Sequence, residues 1–332
     1  MKNALHRITL IVLAIVMLAS TVLFTGCGEK KKQIIIYTSA EDFRIEYMQK
    51  RMKEQFPDYD VVFEYKSSGD HAALLKSAGK NAEAHISHDI EYGYAEELVK
   101  LGVFADLKDT VDLSIYTEDA SASTYYVPVY RNGGAIILNM DVIEEKDLDI
   151  PTSYEDLLDP QYKNLISMPN PKASGTGYMF LLSLVNAWGE DEAFEYFDKL
   201  SENILSFTSS GSGPVNALVG KEVAIGLGMT FQAVQQISDH ENLKILFFEE
   251  GSPYTLYGQA IIAGNETDEA VAEVFEFLST TLTEEVCERF CPEKIYKDKD
   301  FTLEHFPTDI VYANMSNNTS ERKAELLAKW TH

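Results

Sequence analysis

Two stretches of this chain place hydroxyl side chains and glycines at the start of a helix, a combination suited to holding an anion. The first is Met168-Pro169-Asn170-Pro171-Lys172-Ala173-Ser174-Gly175-Thr176-Gly177-Tyr178. Residues 165–168 form an apolar run that reads as a buried strand, and the prolines forbid a helix directly after it. An apolar run of helical length then follows over 178–188. The second is Thr208-Ser209-Ser210-Gly211-Ser212-Gly213, set between strand-like residues 204–207 and Pro214, which suits the first position of a helix. The first amides of a helix have no internal partner and sit at the positive end of its dipole, while glycine lets a ligand reach the backbone. Ser174, Gly175, Thr176, Ser209, Ser210 and Gly211 are therefore the first candidates for a phosphate, phosphonate or carboxylate. The competing reading is a pair of capped helix starts with no ligand. No Gly-Lys-Ser or Gly-Lys-Thr follows either turn, so nucleotide hydrolysis is not indicated.

The elements that must carry these turns alternate along the chain. Strands are expected over 34–37, 60–65, 85–90, 127–130, 135–139, 223–227, 244–248 and 256–263, with Arg131-Asn132-Gly133-Gly134 as a break. Helices are expected over 72–78, 94–101, 267–282 and 321–330, the last capped by Ser320. In the helix after Glu41, Phe43, Tyr47, Met48 and Met52 fall at helical spacing, which predicts Arg44, Lys50, Arg51 and Lys53 on its outer side. Strand–helix alternation of this kind calls for an α/β fold with parallel strands and helices on both faces.

The N-terminus reads as an address. Lys2 and Arg7 precede the uncharged run 8–24, and Phe24-Thr25-Gly26-Cys27 follows at once, the pattern of a lipoprotein signal cleaved before a lipid-modified Cys27. Seventeen residues are short for a membrane span of about twenty. Residues 27–33 then form a solvated tether, and the remaining 300 or so residues call for two lobes. Without Lys2 and Arg7 the chain holds 26 basic against 53 acidic residues, a net charge of −27, which repels nucleic acid. Cys287 and Cys291, four apart before Pro292, suit either a disulfide or two buried thiols.

On these residues the chain resembles the solute-binding proteins of ABC importers, in the subgroup that holds the ferric-iron, thiamine, 2-aminoethylphosphonate and hexose-phosphate binders. The resemblance runs over about residues 34–285. It is carried by Asp89-Ile90-Glu91-Tyr92-Gly93-Tyr94 through Leu101, by Asp159-Pro160-Gln161-Tyr162-Lys163-Asn164, by the Pro169-Asn170-Pro171 to Gly177-Tyr178 block, by Trp188-Gly189, by the 208–211 turn and by Glu249-Glu250-Gly251. It implies a two-lobed periplasmic-binding-protein-like (type II) α/β fold with two hinge strands and ligand in the interlobe cleft. The expected division is 34–127 with 255–300 as lobe 1, 128–254 as lobe 2, and 301–332 packing on both. The expected partners are a small anionic solute, an ABC permease and the membrane through the lipid on Cys27. A monomer outside the cytoplasm is expected, with no cofactor. Ferric members place two adjacent tyrosines where this chain has Met229-Thr230-Phe231-Gln232. Hard Fe(III) needs anionic oxygen ligands, so iron is the second choice behind a sugar phosphate or 2-aminoethylphosphonate.

In such a fold ligands bind beyond the carboxyl ends of the strands. That adds Thr38, Ser39 and Ser68, with Arg131 as a bidentate anion clamp at the hinge and Phe231, Gln232 and Glu249 around the organic half. Tyr37, Tyr130, Tyr178 and Tyr254 are further candidates for its apolar walls, and Glu41, Asp89 and Glu250 for an amine or hydroxyls, although core or solvated roles explain each one singly. His85 and His88 fall on opposite faces of a strand, which defeats joint metal ligation. No Gly-x-Ser-x-Gly elbow or Ser/His/acid motif marks an enzyme.

Overall fold

The computed structural model describes residues 31–108, 110–118, 120 and 123–332. The signal segment and Cys27 lie outside the described residues. The chain runs β1 (Lys32–Thr38), α1 (Asp42–Gln55), β2 (Tyr59–Tyr65), α2 (Ser68–Ala78), β3 (Ile86–Glu91), α3 (Tyr92–Lys100), β4 (Val127–Asn139) and α4 (Met140–Glu145). It continues β5 (Ile166–Pro169), α5 (Gly175–Trp188), α6 (Glu190–Leu200), β6 (Ile204–Thr208), α7 (Gly213–Val219), β7 (Ile225–Met229), α8 (Thr230–Ile237) and β8 (Leu243–Leu246). Then come β9 (Tyr254–Ile261), α9 (Glu269–Phe277), α10 (Thr283–Arg289) and α11 (Ser320–Lys329). Strand β1 opens at Lys32, inside the stretch read as tether.

The strands follow one hydrogen-bonded path, β2-β1-β3-β9-β4-β7-β5-β6, with β8 on β4. Strand β1 is parallel to β2 and β3, and β5 is parallel to β6 and β7. These are the two parallel sets the alternation predicts. They are joined by β4, whose first half pairs antiparallel with β9 and whose second half pairs antiparallel with β7 and β8. One strand thus serves two sheets, and the expected break at 131–134 does not occur. Asn132 and Gly133 stay in register with Thr255 and Tyr254 because β9 supplies backbone partners where the side chains alone suggest a turn.

Two large bodies of apolar side chains form on either side of this crossing, beside a smaller third around Ile137, Val215 and Leu218. One gathers Ile34, Ile36, Met48, Met52, Ile86, Leu98, Val129 and Phe275. The other gathers Met168, Phe180, Leu184, Phe197, Leu227, Leu326 and Trp330. Helix α5 is buried on all sides from Gly175 to Val185, as an all-apolar helix must be. Each fully buried Leu or Phe contributes about 1.5–3 kcal/mol, so this helix anchors the second body and fixes the turn at its start.

Other boundaries move for local reasons. Helix α2 begins at Ser68, four residues before the expected start, because the Ser67 side chain accepts from the Asp70 amide. The long helix expected over 267–282 is interrupted by a π-helical turn over Leu278–Leu282, where the Thr283 hydroxyl donates to the Leu278 carbonyl at 2.7 Å. Thr319, not Ser320, caps α11. Cys287 and Cys291 are free, buried thiols, which decides the alternative left open above.

Candidate functional site

The carboxyl ends of β1 and β2 and the start of α2 face the two Ser/Gly turns across the cleft. Together they enclose a chamber of about 20 Å³, room for about one water. Ser39, Glu41, Tyr65 and Ser68 line it from one lobe, and Ala173, Ser174, Ser210, Gly211 and Ser212 from the other. A wider mouth of about 280 Å³ shares Glu41, Tyr65, Ser210 and Ser212 and adds Asp42, Phe43, Asn216, Gln232 and Gln236. The lobes touch directly here: the Gly69 amide donates to the Ala173 carbonyl at 3.2 Å.

The hydroxyls of the chamber are linked among themselves. Ser68 Oγ donates to Ser39 Oγ at 3.2 Å, and Ser39 Oγ to the Asp89 carbonyl. Ser210 Oγ and Ser212 Oγ lie 2.9 Å apart, and Thr208 Oγ1 donates to the Ser210 carbonyl at 2.8 Å. Ser174 is the N-cap of α5, yet its side chain makes no capping bond, and Tyr178 is the residue whose amide bonds back to the Ser174 carbonyl. The start of α5 is packed to the limit. A Cβ on Gly175 would sit 2.4 Å from Tyr257 Oη, and one on Gly211 2.4 Å from Thr176 Oγ1. Glycine is the residue that lets these two turns meet.

Beneath the hydroxyls lies a charged layer. Arg44 is fully buried; its Nε donates to Glu41 Oε2 and its Nη2 to Asp89 Oδ2, both at 2.6 Å. Its guanidinium stacks 4.4 Å from the Tyr130 ring centre and 5.3 Å from that of Phe231. Arg44 Nη1 and Asp89 Oδ1 have no partner. Burial pushes the Asp89 carboxyl up to about 6 against the pull of Arg44, and its φ of 60° puts it in the left-handed region. Strained, buried and partly unpaired charges gather at functional sites more often than elsewhere.

Six predicted residues meet at the chamber: Ser39, Glu41, Ser68, Ser174, Ser210 and Gly211. Gly175 and Thr176 lie directly behind it, and Thr176 Oγ1 accepts from Asn132 Nδ2 at 3.1 Å. Gln232 reaches the mouth, where its Nε2 donates to the Ser212 carbonyl. The remaining candidates fall elsewhere. Thr38 is buried with its hydroxyl on His88 Nδ1 and the Ala40 amide, because the strand turns that side chain inward. Ser209 faces solvent one residue before the chamber wall, and Glu249 is exposed in a remote turn. The Arg131 guanidinium, proposed as a clamp, lies over Tyr254 at 4.6 Å and Tyr312 at 5.1 Å and is not in the chamber wall. Phe231 is core, edge-on to Tyr130. Among the wall candidates, Tyr37 packs edge-on against His71, Tyr130 stacks on Tyr257, and Tyr178 is buried in α5. His85 lies just ahead of β3 and accepts from the Ile35 amide, whereas His88 is within β3 and bonds the Thr38 hydroxyl. Among the described residues no three of His, Cys, Asp and Glu gather to hold a metal ion.

Tyr65, Ser212 and the mouth residues Asn216 and Gln236 are not among the candidates, and Arg44, expected on the outer side of its helix, is buried. Arg44 shares the buried stripe of α1 with Met48 and Met52, at i, i+4 and i+8. That spacing and a glutamate three residues earlier were the available signals.

A family model described as bacterial extracellular solute-binding protein matches residues 90–301. An uncharacterized protein of Haemophilus influenzae is 25% identical over 253 residues, 75% of this chain and 73% of that one. A putative 2-aminoethylphosphonate-binding periplasmic protein of Salmonella typhi is 28% identical over 128 residues, 38% of this chain and 36% of its own length. Among solved structures, the periplasmic binding protein AfuA of Actinobacillus pleuropneumoniae, with exogenous fructose-6-phosphate bound, superposes with a TM-score of 0.80 at 21% identity. That match covers 91% of this chain and 98% of AfuA. Iron-bound HitA of Pseudomonas aeruginosa superposes at 0.72 and 16% identity, over 90% of this chain and 98% of HitA. These likenesses establish the two-lobed fold.

Proposed function

We propose that this chain, which belongs to the bacterial extracellular solute-binding proteins, captures a small organic molecule bearing a phosphoryl or phosphonyl group and delivers it to an ABC permease. The solute is of the sugar-phosphate or 2-aminoethylphosphonate type and leaves the protein chemically unchanged. The chain acts as a monomer, held outside the cytoplasm by the lipid on Cys27. Its lobes comprise 34–127 with 255–300, and 128–254, with 301–332 spanning both.

The observation that carries this reading is the convergence of hydroxyls from opposite lobes on one chamber, Ser39 and Ser68 against Ser174, Ser210 and Ser212. The starts of α2 and α5 face each other there, so helix dipoles of both lobes favour negative charge. Glu41 is the one acid in the wall, and Arg44 balances it. The mouth suits the organic half: Asp42, Asn216, Gln232 and Gln236 offer polar groups, and Phe43 and Tyr65 an apolar face. The AfuA superposition and the Salmonella relative lend support from outside the chain.

Native mass spectrometry of protein purified from cells, with the released molecule identified, tests the proposal. A phosphorylated or phosphonylated compound recovered intact is the expected result. A stoichiometric coloured complex with ferric iron, or a chemically altered compound, would replace the reading.

A further inference from the structure

Helix α11 starts against one lobe and ends inside the other. Lys100 of α3 pairs with Glu321 at 2.5 Å, while Leu326 and Trp330 enter the second core and Trp330 packs on Phe197 at 5.3 Å. Between these anchors Lys323 is 2% exposed, a rare state for a lysine. Its ammonium pairs with the fully buried Glu91 at the end of β3. It also sits 3.5 Å from the ring centre of Tyr94 on α3 and 4.5 Å from that of Tyr178 on α5. One ring belongs to each lobe, so a single cation is shared across the cleft.

Glu91 ties this cation to the hinge and to the chamber. Thr255 of β9 donates to Glu91 Oε1 at 2.9 Å, and a Cβ on Gly175 would lie 3.2 Å from Glu91 Cγ. Tyr257, whose hydroxyl blocks that same Cβ, is a neighbour of Ser68 in the chamber wall. Rotation of one lobe on the other slides Tyr94 and Tyr178 past each other, and a buried ammonium cannot follow both. Leaving either charge buried without its partner is strongly unfavourable.

We infer that Lys323 is an interlobe latch. Paired with Glu91 and clamped between Tyr94 and Tyr178, it favours the narrow cleft seen here and thereby sets how tightly solute is retained. A solute that needs the narrow cleft binds with an affinity reduced by the fraction of molecules that lack it. The inference rests on lobe geometry and is independent of which solute is bound.

The test is the interlobe distance without solute. Spin labels at Lys53→Cys and Glu192→Cys, exposed on opposite lobes, are placed on a Cys27→Ser background, since Cys287 and Cys291 are buried. Distances by electron double resonance are compared for the parent, Lys323→Met and Lys323→Met/Glu91→Gln. Methionine keeps the stem between the rings, and the double variant leaves no unpaired charge, so it folds even where the single one does not. The expected result is a longer-distance population in both, with the open-to-closed ratio raised at least about fivefold, while the double variant melts near the parent. A double variant with the parent's distances, or one that fails to fold, overturns the latch and leaves the pair an ordinary core contact.

Discussion

The two Ser/Gly turns of the second lobe have nearly the same composition and play different parts. The Ser174 turn opens a fourteen-residue helix buried on every side from Gly175 to Val185, and Ser174 and Thr176 are 3% and 2% exposed. The Ser209 turn opens a seven-residue helix at the rim, with Ser209 in solvent and Ser210 and Ser212 against the chamber. One turn is held rigid by its core, and the other closes over it as a wall. Hydroxyls and glycines make an anion turn possible, but depth decides which of them act.

The comparison breaks most readily at Gly175. Replacing it with valine drives a side chain into Tyr257 and Glu91 and should weaken binding of the solute identified by mass spectrometry roughly a hundredfold or more, read by calorimetry. Valine at 175 with parental affinity would mean that the α5 start is not part of the site.

Ser174→Ala and Ser210→Ala sharpen the contrast. With the proposed anion in the chamber, each would delete a hydrogen bond to a charged group, worth roughly 1.5–3 kcal/mol or about ten- to a hundredfold in affinity. Equal losses would give both turns the same standing at the ligand, whereas a loss at Ser174 alone would reduce the second turn to a lid.

Glu293 separates affinity from stability. It is buried beside the Gly133 amide and Tyr312 Oη, and burial pushes its carboxyl up to about 7. Because the folded value lies above the unfolded one, its stability contribution is full below about 4.5 and disappears as pH rises through 7. Glu293→Gln should therefore melt above the parent at pH 8 and level with it near pH 4.5, by at most about 3 kcal/mol. Solute affinity should change by less than about twofold; a larger change would bring the hinge carboxylate into the binding site.

The smallest effect belongs to Ser209→Ala, a surface change expected to stay within about twofold in the same titration. A tenfold loss there would place the ligand outside the chamber wall drawn here.

Much of this was legible in the chain itself. Alternating apolar runs at β1, β2 and β3 and the proline-bounded strand β5 gave the α/β class, because periodicity reports which side of an element is buried. Glycine and hydroxyl residues before α5 and α7 marked where backbone amides lack partners, because helix ends follow from local chemistry. Side-chain depth does not. Arg44 is buried because Glu41, Asp89 and Tyr130 converge on it from three elements, and the Arg131 guanidinium settles over Tyr254 and Tyr312. Glu91 and Lys323 are 232 residues apart in sequence and meet because α11 returns across both lobes. Such contacts depend on long-range register, so the sequence determined which residues could bind an anion and the tertiary structure alone decided which ones face each other.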